Sequence, residues 1–287
     1  MEFSDIERFC DFSIDKLTVL GTLKCKEYYF NLIDFAYTYP IPFFEKVIDT
    51  QFFTKSWRIT DFGFLQIDIT TLKFRLEFNP NKITSELQKK LLNILLSYIK
   101  DVHFSRIDLA IDLYNYNLYD YNIVDLNPRK KAYYYDRAGK LETCYFGSMS
   151  SNKFIRIYNK AVEQKVKDKN LDIDVDWWRV ELQLRDTYID TYLTGFKDFL
   201  DGILIFKYYS VESLSFTDKA CLDYILKDIS RLGLLSKNAR TRYKRIIKEL
   251  KLESLGFIND LMQHSYVYTL SYLKTLAPTL YSDDDYV

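Results

Sequence analysis

Three runs of this chain alternate apolar and polar residues with period two: Phe104–Leu113 (FSRIDLAIDL), Lys153–Lys160 (KFIRIYNK) and Trp177–Leu184 (WWRVELQL). In an extended strand, residues i, i+2 and i+4 share a face. Each run therefore reads as a strand with one apolar side, which belongs in an antiparallel sheet. The polar sides are crowded with charge. They carry Arg106, Asp108, Ala110 and Asp112 on the first run, Arg156, Tyr158 and Lys160 on the second, and Arg179, Glu181 and Gln183 on the third. A fourth run, Leu141–Gly147 (LETCYFG), follows the turn Arg137–Lys140 and puts Glu142 at a strand start. Sequential strands often pair, so these faces are expected to form one cluster of carboxylates and cations.

The tyrosine gives that cluster a direction. A phenol between two cations has its phenolate form favoured, and the same cations can hold a phosphate beside it. That equips Tyr158 to attack a phosphodiester; the plainer alternative is a polar strand facing solvent. Asp108 and Asp112 share a face and are expected to converge on one hard cation; the plainer alternative has Arg106 neutralising Asp108.

Taken together, LEFNPNKIT (Leu76–Thr84), FSRIDLAIDL, GKLETCYFG (Gly139–Gly147), KFIRIYNKAVEQ (Lys153–Gln164) and WRVELQLRD (Trp178–Asp186) resemble, in this order, the Rep_trans family of rolling-circle plasmid replication initiators. Weaker likenesses lie in Asp15–Leu23 and Lys237–Lys251. The resemblance implies a DNA nicking and joining enzyme whose nucleophile corresponds to Tyr158. It implies a divalent cation, Mg²⁺ or Mn²⁺, with Asp108, Asp112, Glu142 and Glu181 at the family's acidic positions. Arg156, Lys160 and Arg179 would act as fixed cations at the reacting phosphate. The chain has VEQ where close relatives have QER after the tyrosine motif, so no role passes to Glu163 or Lys165. The resemblance also implies a homodimer and a recruited host helicase.

Composition narrows the setting. Forty basic residues balance forty acidic ones over 287 residues, which argues against indiscriminate DNA coating and for a local basic surface. That surface is expected on a helix over Lys237–Lys251, where Lys237, Arg240, Arg242, Lys244, Arg245, Lys248 and Lys251 face only Glu249. It suits duplex phosphates, with base readout expected near Ser254–Tyr272. Only two histidines, His103 and His264, are present, so a His-hydrophobe-His metal motif cannot form and any metal site relies on oxygens. His103 reads as a polar residue at a strand entry, or as a ligand beside it. Cys10, Cys25, Cys144 and Cys221 lack metal-type spacing and read as reduced thiols. No run reaches transmembrane length and no secretory signal is visible, so a cytoplasmic protein away from membranes is expected.

The expected fold is α+β: an antiparallel nicking sheet, like that of the His-pair nickases but without the histidines, flanked by helices and followed by a helical C-terminal region. The division falls at 1–210 and 211–287, with a soft join near Ser210–Ser215. Helices are expected over Ile83–Lys100 (Thr84 as N-cap), Ala161–Lys169, Asp186–Phe199, Thr217–Ser230, Lys237–Leu250 and Leu255–Leu276, and the acidic tail Ser282–Val287 is expected to fray. Tyr133, Tyr134, Tyr135 and Tyr145 are candidates for stacking on unpaired bases. The functional reading is nicking and rejoining of single-stranded DNA at an origin whose duplex the helical region binds. The alternatives are a non-catalytic DNA-binding regulator and a metal-dependent hydrolytic nuclease.

Overall fold

The computed structural model describes residues 10–38, 44–46, 52–207, 213–227, 229–250 and 256–277. The acidic tail Ser282–Val287, the residues 208–212 at the expected join, and Lys251 and Ser254 lie outside them. In chain order the elements are β1 (Cys10–Leu23), α1 (Lys26–Thr38), β2 (Phe44–Lys46), β3 (Lys55–Ile59), β4 (Gly63–Ile67), β5 (Lys73–Phe78), α2 (Glu86–Ser97) and β6 (Ile99–Tyr114). They continue with β7 (Tyr121–Asp125), β8 (Lys131–Tyr135), β9 (Leu141–Phe146), β10 (Lys153–Asn159), α3 (Lys160–Lys167), β11 (Trp177–Leu184), α4 (Thr187–Thr194), β12 (Ile203–Lys207), α5 (Phe216–Lys227), α6 (Lys237–Leu250) and α7 (Gly256–Leu276). The fold is α+β, an antiparallel sheet flanked by helices, as the alternating runs require.

The chain forms two compact units by its internal packing. The first comprises the described residues of Met1–Phe12, Ala110–Leu182 and Phe196–Ser265; the second those of Ser13–Leu109, Gln183–Gly195 and Tyr266–Val287. In the first unit the strands follow the order β6-β11-β10-β9-β8, with a separate pair β12-β7. The helices α5 and α6 pack there, through Leu222, Ile225, Ile246 and Ile247 against Val124 and Leu204. In the second unit the order is β2-β3-β4-β5-β1-β6.

Period two governs both. Ile155 and Ile157 pair with Phe146 and Cys144 across β10 and β9, and all four are fully buried. In the second unit Leu17 and Val19 on β1 face Phe78 and Leu76 on β5 in the same way. Gly63 lets β4 close on β5, since an added Cβ would stand 2.0 Å from the Glu77 carbonyl oxygen. The helix expected from Ile83 starts at Glu86, with Ser85 rather than Thr84 as N-cap. Ser85 and Gln88 satisfy each other's backbone in a capping box, and Gln88 also accepts from the Thr84 amide. The helix expected over Asp186–Phe199 is shorter, running from Thr187 to Thr194.

Candidate active site

The polar face of the first unit gathers around Glu181. Arg156 and Tyr158 project from β10 on the side opposite the buried isoleucines. The Tyr158 hydroxyl donates to Glu181 Oε1 at 2.5 Å, and Arg156 Nη2 donates to Glu181 Oε2. Glu181 is 3% exposed, so these bonds form in a poorly screened setting. Arg179, two residues earlier on β11, stands 3.9 Å from Glu181 and grips Asp112 of β6 with Nε at 2.7 Å and Nη2 at 2.6 Å. A continuous chain of charge-assisted contacts thus runs Tyr158–Glu181–Arg179–Asp112.

Lys160 reaches the tyrosine from another element. It is the first residue of α3 rather than the last of the strand, and its Nζ lies 3.3 Å from the Tyr158 oxygen. The switch from strand to helix is set by Asn159. Its side-chain oxygen caps α3 by accepting from the Val162 amide at 2.9 Å, while its Nδ2 donates to the Tyr119 hydroxyl at 2.7 Å. Burial, helped by Arg179, pulls the Lys160 ammonium below its ordinary pKa, against the opposing bond from Glu163. Burial pushes Glu163 the other way, but the Lys160 and Lys167 ammoniums hold its carboxyl below the usual range.

Of the residues singled out in the sequence, Tyr158, Arg156, Lys160, Arg179, Glu181 and Asp112 come together and Asp108 and Glu142 do not. Asp108 is held by Arg106 through both oxygens, at 2.7 and 2.6 Å. Asp108 belongs to the second unit and Asp112 to the first, four positions further along β6. Glu142 sits at a bulge, where Tyr134 and Tyr135 of β8 pair with Thr143 and Leu141 and pass it by, and its charge acts on Tyr119. Among the described residues no three His, Cys, Asp or Glu side chains converge. Asp108, Asp112 and Glu181 each already carry a guanidinium. As they stand, these donors do not fit Mg²⁺ or Mn²⁺, which takes several free oxygens. His103 is exposed, with Nδ1 2.9 Å from the Asp101 carbonyl oxygen.

The stacking candidates separate clearly. Tyr134 shares its cross-strand row with Thr143 and Tyr158, and is 53% exposed two strands from the nucleophile candidate. Tyr145 packs edge-on against both Tyr134 and Phe154, and Tyr133 against Phe146. Two residues that the sequence reasoning passed over also matter. Trp177 Nε1 donates to Asp112 Oδ1 at 2.6 Å, and Asn159 orders the strand end. Trp177 has the parity of Arg179 and Glu181, so its face was legible; Asn159 reads as an N-cap only once α3 is known to begin at Lys160.

The helix α6 buries Tyr243, Ile246 and Ile247 and exposes Lys237, Arg242, Lys244, Arg245 and Lys248. Arg240 is half-buried and donates to the carbonyls of Leu232, Gly233 and Leu235 at 3.0, 3.0 and 3.2 Å. Arg242 pairs with Asp218 at 2.5 Å and Arg245 with Glu249 at 3.7 Å. Among the described residues no helix is long and apolar enough to cross a membrane.

Comparison with known proteins bears on this face. The Rep_trans family profile, described as replication initiation factor, matches residues 126–223, which contain Glu142, Arg156, Tyr158, Lys160, Arg179 and Glu181. A replication initiation protein of Staphylococcus aureus is 34% identical over 258 residues, covering 88% of this chain and 78% of that protein. Another from the same organism is 38% identical over 192 residues, 66% of this chain and 58% of its own length. The solved rolling circle replication initiator protein from Geobacillus stearothermophilus matches with a TM-score of 0.42 and 17% identity, over 64% of this chain and 77% of that one.

Proposed function

Since the chain belongs to the Rep_trans family of replication initiation factors, we propose that it starts rolling-circle replication by nicking one strand of an origin through Tyr158. The observation that carries this reading is the Tyr158 phenol donating to a buried carboxylate while Arg156, Lys160 and Arg179 surround it.

Those contacts support the following step. The Tyr158 oxygen attacks the phosphorus of an unpaired strand and its proton passes to Glu181 Oε1. The bond from phosphorus to the 3′ oxygen breaks. Lys160, made a readier acid by its lowered pKa, returns a proton to the leaving oxygen. The products are a 5′-phosphotyrosine and a free 3′-hydroxyl that primes synthesis. Reversal restores the strand, because the covalent link keeps the phosphodiester energy. Arg156 and Arg179 offset the charge that grows on the phosphoryl oxygens. Tyr134, on the row of Tyr158, offers a ring to a neighbouring base. No step is routed through the divalent ion that the resemblance implies. Metal coordination by Asp112 or Glu181 would first have to displace a guanidinium.

The exposed cations of α6 would bind the origin duplex, within a helical region beginning near residue 211. By the family resemblance the protein would act in the cytoplasm as a homodimer and pass the opened strand to a host helicase. The test is a labelled single-stranded origin oligonucleotide, incubated with Mg²⁺ or Mn²⁺ and run on a denaturing gel. The wild-type protein should give a protein–DNA band that Tyr158→Phe loses. Cutting that survives Tyr158→Phe without the band would mean a hydrolytic nuclease, and duplex binding with neither product would mean a regulator.

A further inference from the structure

The second unit carries a polar face built from the same side-chain chemistry without a nucleophile. On β1, Lys16-Leu17-Thr18 repeats the order cation, apolar, hydroxyl seen in Arg156-Ile157-Tyr158. On β5, Arg75-Leu76-Glu77 repeats Arg179-Val180-Glu181. Glu77 accepts from Lys16 Nζ at 3.0 Å, Thr18 Oγ1 at 3.4 Å and Arg75 Nη2 at 2.8 Å, as Glu181 accepts from Arg156 and Tyr158. Thr18 is only 1% exposed, so its hydroxyl is shut away from any strand. The cations are not: Lys16 and Arg75 keep 34 and 29% of their side chains exposed. Arg75 is held in place, its other arm donating to Gln66 at 2.6 Å.

Arg185 completes the face. It follows β11, and Asp186 next to it holds a strained left-handed φ of 48°. Burial, helped by the charges of Arg106 and Arg75, pulls its pKa down against the opposing carboxylates of Asp108 and Glu77. Its Nε is buried without a hydrogen-bond partner. Lys16, Arg75, Arg106 and Arg185 outnumber Glu77, Asp108 and the nearby Asp15. Four cations against three carboxylates, with Lys16 and Arg75 partly exposed, leave the face net positive and suited to an anion arriving from outside.

We propose that the face formed by Lys16, Arg75, Arg106 and Arg185 binds a backbone phosphodiester of single-stranded DNA and holds the strand without cutting it. The proposal rests on the nicking reading only in taking DNA as the ligand. The test is therefore run in the Tyr158→Phe protein, where no covalent product forms, by fluorescence anisotropy of a single-stranded oligonucleotide across a salt series. Arg185→Gln should weaken binding and reduce the slope of log K against log salt by about 0.7, one phosphate. Arg185→Lys should restore most of that slope, and the thermal midpoint should hold in both, since the Arg185 side chain gives up no hydrogen bond within the protein. Unchanged affinity and slope in Arg185→Gln would overturn the proposal. So would a loss that Arg185→Lys does not rescue and that tracks unfolding. A thermal shift by inorganic phosphate that depends on Arg185, with DNA binding untouched, would assign the face to a free anion and also overturn it. Persistent cutting in Tyr158→Phe would count against the nicking mechanism alone.

Discussion

Replacing Asp112 with asparagine separates two roles for the carboxylate that anchors the active-site chain. Asp112 accepts three bonds, from Trp177 Nε1 at 2.6 Å and from Arg179 at 2.7 and 2.6 Å. The side chains of the pair are 8 and 10% exposed, so solvent screens little of the loss. Bonds to a charged group contribute roughly 1.5–3 kcal/mol each, and removing one partner of a buried ion pair costs about 3–5 kcal/mol. Asparagine keeps one acceptor oxygen but turns an amide N–H toward the guanidinium, which places the change within that range. At a urea slope of roughly 2–3 kcal/mol per molar, the midpoint falls by about 1–2 M. Arg179 then leans on Glu181 and competes with the Tyr158 hydroxyl for Oε1. Covalent attack on a single-stranded oligonucleotide should slow by at least about tenfold, or ~1.4 kcal/mol of barrier. A midpoint within about 0.3 M of wild type, with the adduct formed at the normal rate, would refute the structural pair. A retained midpoint with a raised Mg²⁺ or Mn²⁺ requirement would instead make Asp112 a metal ligand.

Two further substitutions probe the cations. Because the Lys160 ammonium titrates below its ordinary value, it is lost as pH rises through that lowered pKa, and the nicking rate should fall on the alkaline side. Lys160→Arg stays charged there but is a poor proton donor, so the rate should fall and the alkaline limb should disappear or move upward; an unchanged rate and limb would remove Lys160 from the reaction. On α6, Arg240→Ala should lower stability by about 1–3 kcal/mol through its lost bonds to three carbonyls, read by urea denaturation. Lys244→Ala with Lys248→Ala should leave stability alone and cut the duplex-binding salt slope by about 1.8.

How much was legible depended on whether a signal was local. Alternation fixed β6, β10 and β11 and the inward isoleucines, because pleat parity is a property of the strand itself. The span of α6 was equally plain, since its buried Tyr243, Ile246 and Ile247 recur at helical spacing. Thr84 and Ser85 could not be told apart as caps, because both precede the same apolar run and the choice lay in which side chain Gln88 answered. The two-unit division was invisible. It follows tertiary packing, with β6 and β11 each continuing from one unit into the other, and no change of composition marks such a boundary.

The carboxylates show where parity stops being enough. Asp108 and Asp112 do share a face, but parity says nothing about distance along the strand or about which arginine reaches across from a neighbour. Arg106 lies two residues from Asp108 and closes on it within one strand, whereas Arg179 comes to Asp112 from 67 residues away. Four acids that looked like one ligand set are therefore distributed among three guanidiniums and a bulge. The carboxylate that meets the tyrosine is Glu181, whose second oxygen is spent on a phenol. A buried acid satisfied by Arg156 alone would be an ordinary ion pair. With a tyrosine hydroxyl on its other oxygen and an ammonium 3.3 Å from that hydroxyl, the same acid becomes a place where a proton can leave and return. The proposed transesterification needs that property, whereas a water-activating nuclease would have no use for it at a phenol.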